Sequence, residues 1–176
     1  MREGGRRGAE AAVRALLRAM GEDPDRPGLR ETPARVRQAM EELFLGVGQD
    51  PAAAIAVAAG AEGEDVGQEV AVEAIPFLSW CEHHLLPFYG SVDVRYAPAG
   101  GRLAGLGDLA RAVAIASRRP QLQERMTAEI ADALMRALAP AWVEVRAHAT
   151  QLCLVARGAN AAGARVETVA RRGRGA

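Results

Sequence analysis

Trp80-Cys81-Glu82-His83-His84-Leu85-Leu86-Pro87-Phe88 places a thiol, a carboxylate and two imidazoles in four consecutive positions beside an apolar run. Such a cluster is costly next to hydrophobic residues unless something organises it. Cys81 and His84, in Cys-x-x-His spacing, can close on one Zn²⁺ from a single turn. The only other cysteine is Cys153, on a β-like segment. Two Cys and one His make three ligands, the count of a catalytic zinc whose fourth position is open to water of lowered pKa. The competing reading is a buried cysteine beside a chance histidine pair. The adjacent acid, the second histidine and the distant matching cysteine favour the metal.

Outward from this cluster the pattern is α+β. Residues 9–20 carry Val13, Leu16, Leu17 and Met20 at helical spacing, and Gly21 ends the run. Thr32-Pro33 reads as N-cap and first-turn proline of a second helix with Val36, Met40, Leu43 and Phe44 on one face. Residues 60–68 read as a Gly/Glu/Asp-rich loop. Val70, Val72 and Ala74 alternate with polar or small neighbours, as do Val92, Val94 and Tyr96, so both segments are predicted strands. Residues 108–119 and 121–139 are predicted helices, the second with the stripe Leu122, Met126, Ile130, Leu134, Leu138. Val143–Val155 is β-like, Ala164–Ala170 forms a weaker last strand, and 172–176 reads as a disordered tail. The resulting division is 1–66 helical region and loop, 67–171 catalytic domain, and the tail.

Composition limits the chemistry. The 176 residues include 22 arginines and no lysine, balanced by 22 acids. Schiff-base enzymes, lysine-anchored pyridoxal chemistry and the Walker P-loop are therefore excluded. Any phosphate must be held by arginine forks, hydroxyls or backbone amides. Zero formal net charge gives no electrostatic case for nucleic acid or an anionic membrane. The longest apolar run, Ala52–Ala59, is far below the ~20 residues of a membrane span, and the N-terminus has no hydrophobic signal core. A cytoplasmic protein is expected, where two cysteines bind metal or lie buried more often than they pair. Because 38 of the apolar residues are alanine, the core is poor in large side chains, and contacts between subunits are expected to add burial.

The segment Leu78–Gly90 resembles the zinc motif of the GTP cyclohydrolase I family. So do Gly105-Leu106-Gly107-Asp108-Leu109-Ala110-Arg111, the run Ser117–Thr127 with its Gln121-Leu122-Gln123-Glu124-Arg125, and, upstream, Gly21–Pro24 and Glu31–Val36. The resemblance spans roughly residues 10–160. It implies the tunnelling (T-) fold, ββααββ after N-terminal helices, with an antiparallel sheet packed against two helices and copies assembled as a toroidal decamer. It also implies a reaction: hydrolytic opening of the guanine imidazole ring of GTP, loss of formate, and rearrangement to dihydroneopterin triphosphate. By resemblance, Cys81, His84 and Cys153 hold Zn²⁺ for attack of water on C8, and His83 is an acid/base group. Glu124 with Gln123 reads the guanine edge, and Arg111 and Arg157 face the phosphates.

Three departures qualify that expectation. The family pattern before the third ligand is His-x-Cys, whereas this chain has Gln151-Leu152-Cys153. Glutamine hydrogen-bonds but carries no proton, and general acid–base help is worth about 10²–10⁴-fold. On an uninterrupted strand 151 and 153 share a face and His148 points to the other, so His148 is not a replacement. The family's Ser-Lys pair, which helps hold the triphosphate, is Gly107-Asp108 here, a change of two charge units beside a polyanion, and the competing reading makes Asp108 a solvated residue at a helix start. The Ser/Thr-rich last strand is Ala164-Arg165-Val166-Glu167-Thr168-Val169-Ala170. Two alternatives follow. One is a diverged paralogue that acts on another guanine nucleotide or nucleoside, or stops at the formamidopyrimidine. The other is a catalytically silent zinc-binding ring subunit.

Overall fold

A computed structural model describes residues 3–59 and 68–174. The chain divides into two compact units, Met1–Leu45 and Gly46–Ala176. The expected boundary at residue 66 and residues 60–67 of the expected loop lie outside the described residues.

The first unit is a pair of helices, α1 (Glu3–Ala19) and α2 (Thr32–Leu43). Arg37 ties them, its guanidinium donating to Glu10 at 2.8 Å and to Glu41 at 2.7 Å. Thr32 is the first helical residue of α2 rather than its cap. The Arg35 N–H donates to the Glu31 carbonyl at 3.0 Å, which makes Glu31 the cap position, and Pro33 is buried in the first turn.

The second unit is built on a five-stranded sheet in the order β5-β2-β3-β6-β7. Its strands are β2 (Val70–Cys81), β3 (Pro87–Ala97), β5 (Pro120–Gln121), β6 (Trp142–Gln151) and β7 (Val166–Gly173), all antiparallel neighbours except the parallel β2–β5 pair. A separate two-stranded pair joins β1 (Val57–Ala59) to β4 (Arg102–Ala104). Two helices, α3 (Leu106–Ser117) and α4 (Gln123–Leu138), stand between the long strands β2–β3 and β6–β7, so with the two- and three-residue strands set aside the order is ββααββ. This is the tunnelling-fold arrangement, an α+β antiparallel sheet with two helices against it. Of the expected stripe, Met126, Ile130, Leu134 and Leu138 form the fully inaccessible face of α4 and pack with Val92, Val94, Val143 and Val145, whereas Leu122 is the half-buried cap residue ahead of the helix.

A bulge in β2 decides which face Cys81 joins. Register with β3 shifts between Val72 and Ile75, where Ala74 adopts φ +57° and donates its N–H to Asp93 Oδ1 at 2.8 Å. One extra residue reverses the alternation. Beyond it Ile75, Phe77, Ser79 and Cys81 point into the core. The simple alternation through Ala74 would have turned Cys81 outward.

β6 is shorter than the pattern Val143–Val155 predicts. Its partner β3 begins at Pro87, which has no N–H, and Phe88↔Gln151 is the last pair of the ladder. Freed of a partner, the chain turns into a single helical turn, α5 (Leu152–Val155). Cys153 therefore sits on a helical turn and does not share a strand face with Gln151. At the other end β7 continues past Ala170: Arg172 pairs with Val143, Gly173 with Trp142, and the Arg172 guanidinium holds Asp132 at 2.7 Å. Residues 172 and 173 thus belong to the sheet rather than to a disordered tail, while 175–176 lie outside the described residues. Gly173 is at φ +91°, and a Cβ there would collide with the Ala141 carbonyl oxygen.

Candidate metal centre and substrate site

The turn between β2 and β3 folds back on its own cysteine. The Cys81 N–H donates to the Leu86 carbonyl at 2.9 Å, and the Cys81 carbonyl accepts from Leu85 at 2.8 Å and His84 at 3.3 Å. Leu85 takes φ +50°, a left-handed conformation uncommon for a branched side chain and tolerated where surrounding structure enforces it. The result brings the His84 ring to Cys81, with Nδ1 3.8 Å from Sγ. The turn is anchored sideways as well. The Glu82 N–H donates to the Gln121 carbonyl at 3.1 Å, and the Glu82 carboxylate takes a two-pronged bond from Arg125 at 2.6 and 3.0 Å. That guanidinium holds the Glu82 carboxyl below its ordinary pKa.

The helical turn α5 brings Cys153 to the same place. Ligand atoms of Cys81, His84 and Cys153 lie within 4.8 Å of one another, with Cys81 buried, Cys153 half-buried and His84 exposed. Tetrahedral zinc bonded to sulfur and imidazole nitrogen sets ligand-to-ligand edges of about 3.6–3.8 Å. The 3.8 Å Cys81–His84 separation and the sulfur–nitrogen donor set thus fit a zinc ion. Burial, and next the neighbouring Cys81, push the Cys153 thiol above its ordinary pKa. A bound dication works against that by stabilising the thiolate.

Of the remaining expected residues, Arg157 and Gln151 reach this triangle, at His84 and Cys153 respectively. His83 is exposed and roughly perpendicular to His84, with ring centroids 6.2 Å apart. Glu124 lies exposed in the first turn of α4. Gln123 is only 2% exposed, and its amide donates to the Ala147 and Val166 carbonyls at 3.0 Å each. Gln151 donates to Gln123 Oε1 at 2.8 Å. Arg157 Nη1 stands 2.9 Å from His84 Nε2. Arg111, exposed, is paired with Asp108. His148 lies on the opposite face of the sheet, 3.3 Å from Glu167 and 3.8 Å from Asp93, away from Gln151.

Asp108 is not solvated at the helix start, the competing reading of this position. It is 7% exposed, its Oδ2 accepts the Ala56 N–H at 3.0 Å, and its Oδ1 holds Arg111. Carboxylate at this position therefore pins the segment before β1 to the first turn of α3. Asp108→Ala leaves the Ala56 N–H without its partner, and a loss of about 1–3 kcal/mol is expected, read as a lower midpoint in chemical denaturation. No sequence signal marks this contact, because Ala56 contributes only backbone. The Glu82–Arg125 fork was equally hidden, since it joins side chains 43 positions apart.

The sequence profile of GTP cyclohydrolase I matches residues 9–175. The chain belongs to the GTP cyclohydrolase I family. Within it, the GTP cyclohydrolase 1 of Streptococcus pyogenes serotype M49 (strain NZ131) is 47% identical over 165 residues, covering 94% of this chain and 84% of that protein. The GTP cyclohydrolase 1 of Streptococcus agalactiae serotype Ia is 46% identical over 164 residues, covering 93% and 86%. Among solved structures, the apo archaeosine synthase QueF-Like matches with a TM-score of 0.48 at 21% identity, over 60% of this chain and 93% of that one. Family membership makes this chain a member of a hydrolase family, and the Cys81–His84–Cys153 triangle is its candidate metal centre. Among the described residues no helix is long and apolar enough to cross a membrane.

Proposed function

We propose that this protein opens the guanine imidazole ring of GTP by zinc-dependent hydrolysis and releases formate, towards dihydroneopterin triphosphate. The observation that carries the reading is the convergence of Cys81, His84 and Cys153 within 4.8 Å in a chain of this family. A zinc ion held by these three residues supplies Lewis acidity and a nucleophilic water at neutral pH. The protein's own side chains do the rest. His83, exposed beside the triangle, exchanges protons with the ring nitrogens. Glu124, at the N-terminus of α4, accepts from guanine N1–H and the 2-amino group, donors that adenine lacks at those positions. Arg157, beside His84, and Arg111 supply forks for the phosphates.

Two features support a slower or truncated reaction over the full sequence of steps. Gln151 occupies the place of a proton-carrying histidine, and Arg111 is engaged by Asp108. The formamidopyrimidine, or a guanine compound with fewer phosphates, is then the alternative end point or substrate. Assembly into a ring of identical copies, a decamer by family resemblance, belongs to the same proposal.

Metal removal tests the function. Chelator-treated protein is expected to lose GTP consumption, and stoichiometric Zn²⁺ is expected to restore it. GTP consumption that persists at full rate in protein shown by elemental analysis to be zinc-free contradicts the reading.

A further inference from the structure

The amides of Gln123 and Gln151 form a chain whose polarity has one solution. Gln123 Nε2 lies 3.0 Å from both the Ala147 and the Val166 carbonyl oxygens. Carbonyl oxygens only accept, so both N–H bonds of that amide point at β6 and β7. Turning the Gln123 amide over would set its oxygen against two carbonyl oxygens at a site that is 2% exposed, in place of the two hydrogen bonds made there. Gln123 Oε1 is therefore fixed towards Gln151. Gln151 must give its Nε2–H to that oxygen, at 2.8 Å. Its own carbonyl oxygen is left on the other side, 3.9 Å from Cys153 Sγ.

We propose that Gln123 is a positioning residue, whose buried amide holds Gln151 with its carbonyl oxygen towards the Cys153 side as a fixed hydrogen-bond acceptor. Position 151 then takes a hydrogen bond from water or from a ring N–H, and has no proton to give. This assigns Gln123 to orienting a neighbour, and leaves recognition of the guanine edge to Glu124. The kinetic part rests on the function proposed above, whereas the orientation itself does not.

Thermal denaturation and kinetics of the zinc-loaded protein test the two parts separately. Gln151→Leu removes the donor to Gln123 Oε1, and a fall in Tm of about 4 °C is expected. Gln151→Glu at pH 8 places a carboxylate against an oxygen that has no freedom to turn away, so a larger fall is expected. If Gln123 were free to turn over, it would donate to the new carboxylate, and a Tm equal to or above that of Gln151→Leu overturns the proposal. In Gln123→Met, adding Gln151→Leu is expected to lower Tm by less than half of what it does alone, whereas full additivity also overturns it. In kinetics, Gln123→Met is expected to lower kcat by about tenfold and leave KM for GTP within about twofold, the split of a residue that orients rather than binds. A KM raised tenfold at unchanged kcat makes Gln123 a base reader and refutes the assignment. Absence of turnover in the unsubstituted protein counts against the proposed function, and the Tm comparisons then decide the orientation alone.

Discussion

Replacing Cys153 with alanine is expected to lower zinc affinity by more than about 100-fold, since loss of outer partners alone costs about 10–100-fold at such centres. Cys153 is the informative choice among the three ligands. It is half-buried on the helical turn α5, whereas Cys81 is 6% exposed and packs in the core. Truncating Cys81 would mix metal loss with a cavity, and costs of that second kind run to several kcal/mol. At Cys153 the fold should survive the loss, so near-unchanged far-ultraviolet circular dichroism should accompany the fall in bound zinc measured by elemental analysis. Activity should fall with it. Zinc content that stays near one ion per chain contradicts the assignment of the third ligand.

Gln151→His is the second large expected effect, and the structure gives it a specific rationale. A neutral imidazole carries one N–H and one bare nitrogen. One ring nitrogen can keep the bond to Gln123 Oε1 that the Gln151 amide now makes. The other then faces the Cys153 side and can exchange a proton, which the Gln151 carbonyl oxygen cannot. Restoring general acid–base help is worth about 10²–10⁴-fold on the step that lacks it. Release of formate is therefore expected to rise by at least about 100-fold relative to accumulation of ring-opened formamide, measured by chromatography of quenched reactions. An unchanged ratio of the two products places the limiting step elsewhere. The reciprocal change Asp108→Lys is not expected to help. It would bury an ammonium where the Ala56 N–H and Arg111 now meet a carboxylate.

How much of this was legible in the sequence depends on the range over which each feature is encoded. The α4 stripe at Met126, Ile130, Leu134 and Leu138 is a local periodicity, and it packs as the pattern predicts. The convergence of Cys81, His84 and Cys153 was legible for a different reason: cysteine and histidine are rare in this chain, with two and three copies, so their chemistry stands out without geometry. What escaped was set by backbone pairing. The bulge at Ala74 depends on Asp93, 19 positions away on the next strand, and it alone turns Cys81 inward. The end of β6 depends on Pro87 on the facing strand. A reading confined to residues 143–155 sees an apolar β-like run and extends it through Cys153. The burial of Asp108 depends on a backbone N–H that has no side-chain signature. The Gln123–Gln151 chain likewise rests on the carbonyls of Ala147 and Val166, which any residues at those positions would offer.

The central claim is that this metal centre opens the guanine ring at C8. GTP labelled with ¹³C at C8 and incubated with the zinc-loaded protein tests it most directly by nuclear magnetic resonance of the carbon. The label is expected to leave the aromatic position and to be found in a formamide group and in free formate, with the formamide dominant while Gln151 is in place. Label that remains in intact GTP, with zinc bound and the protein folded, contradicts the account.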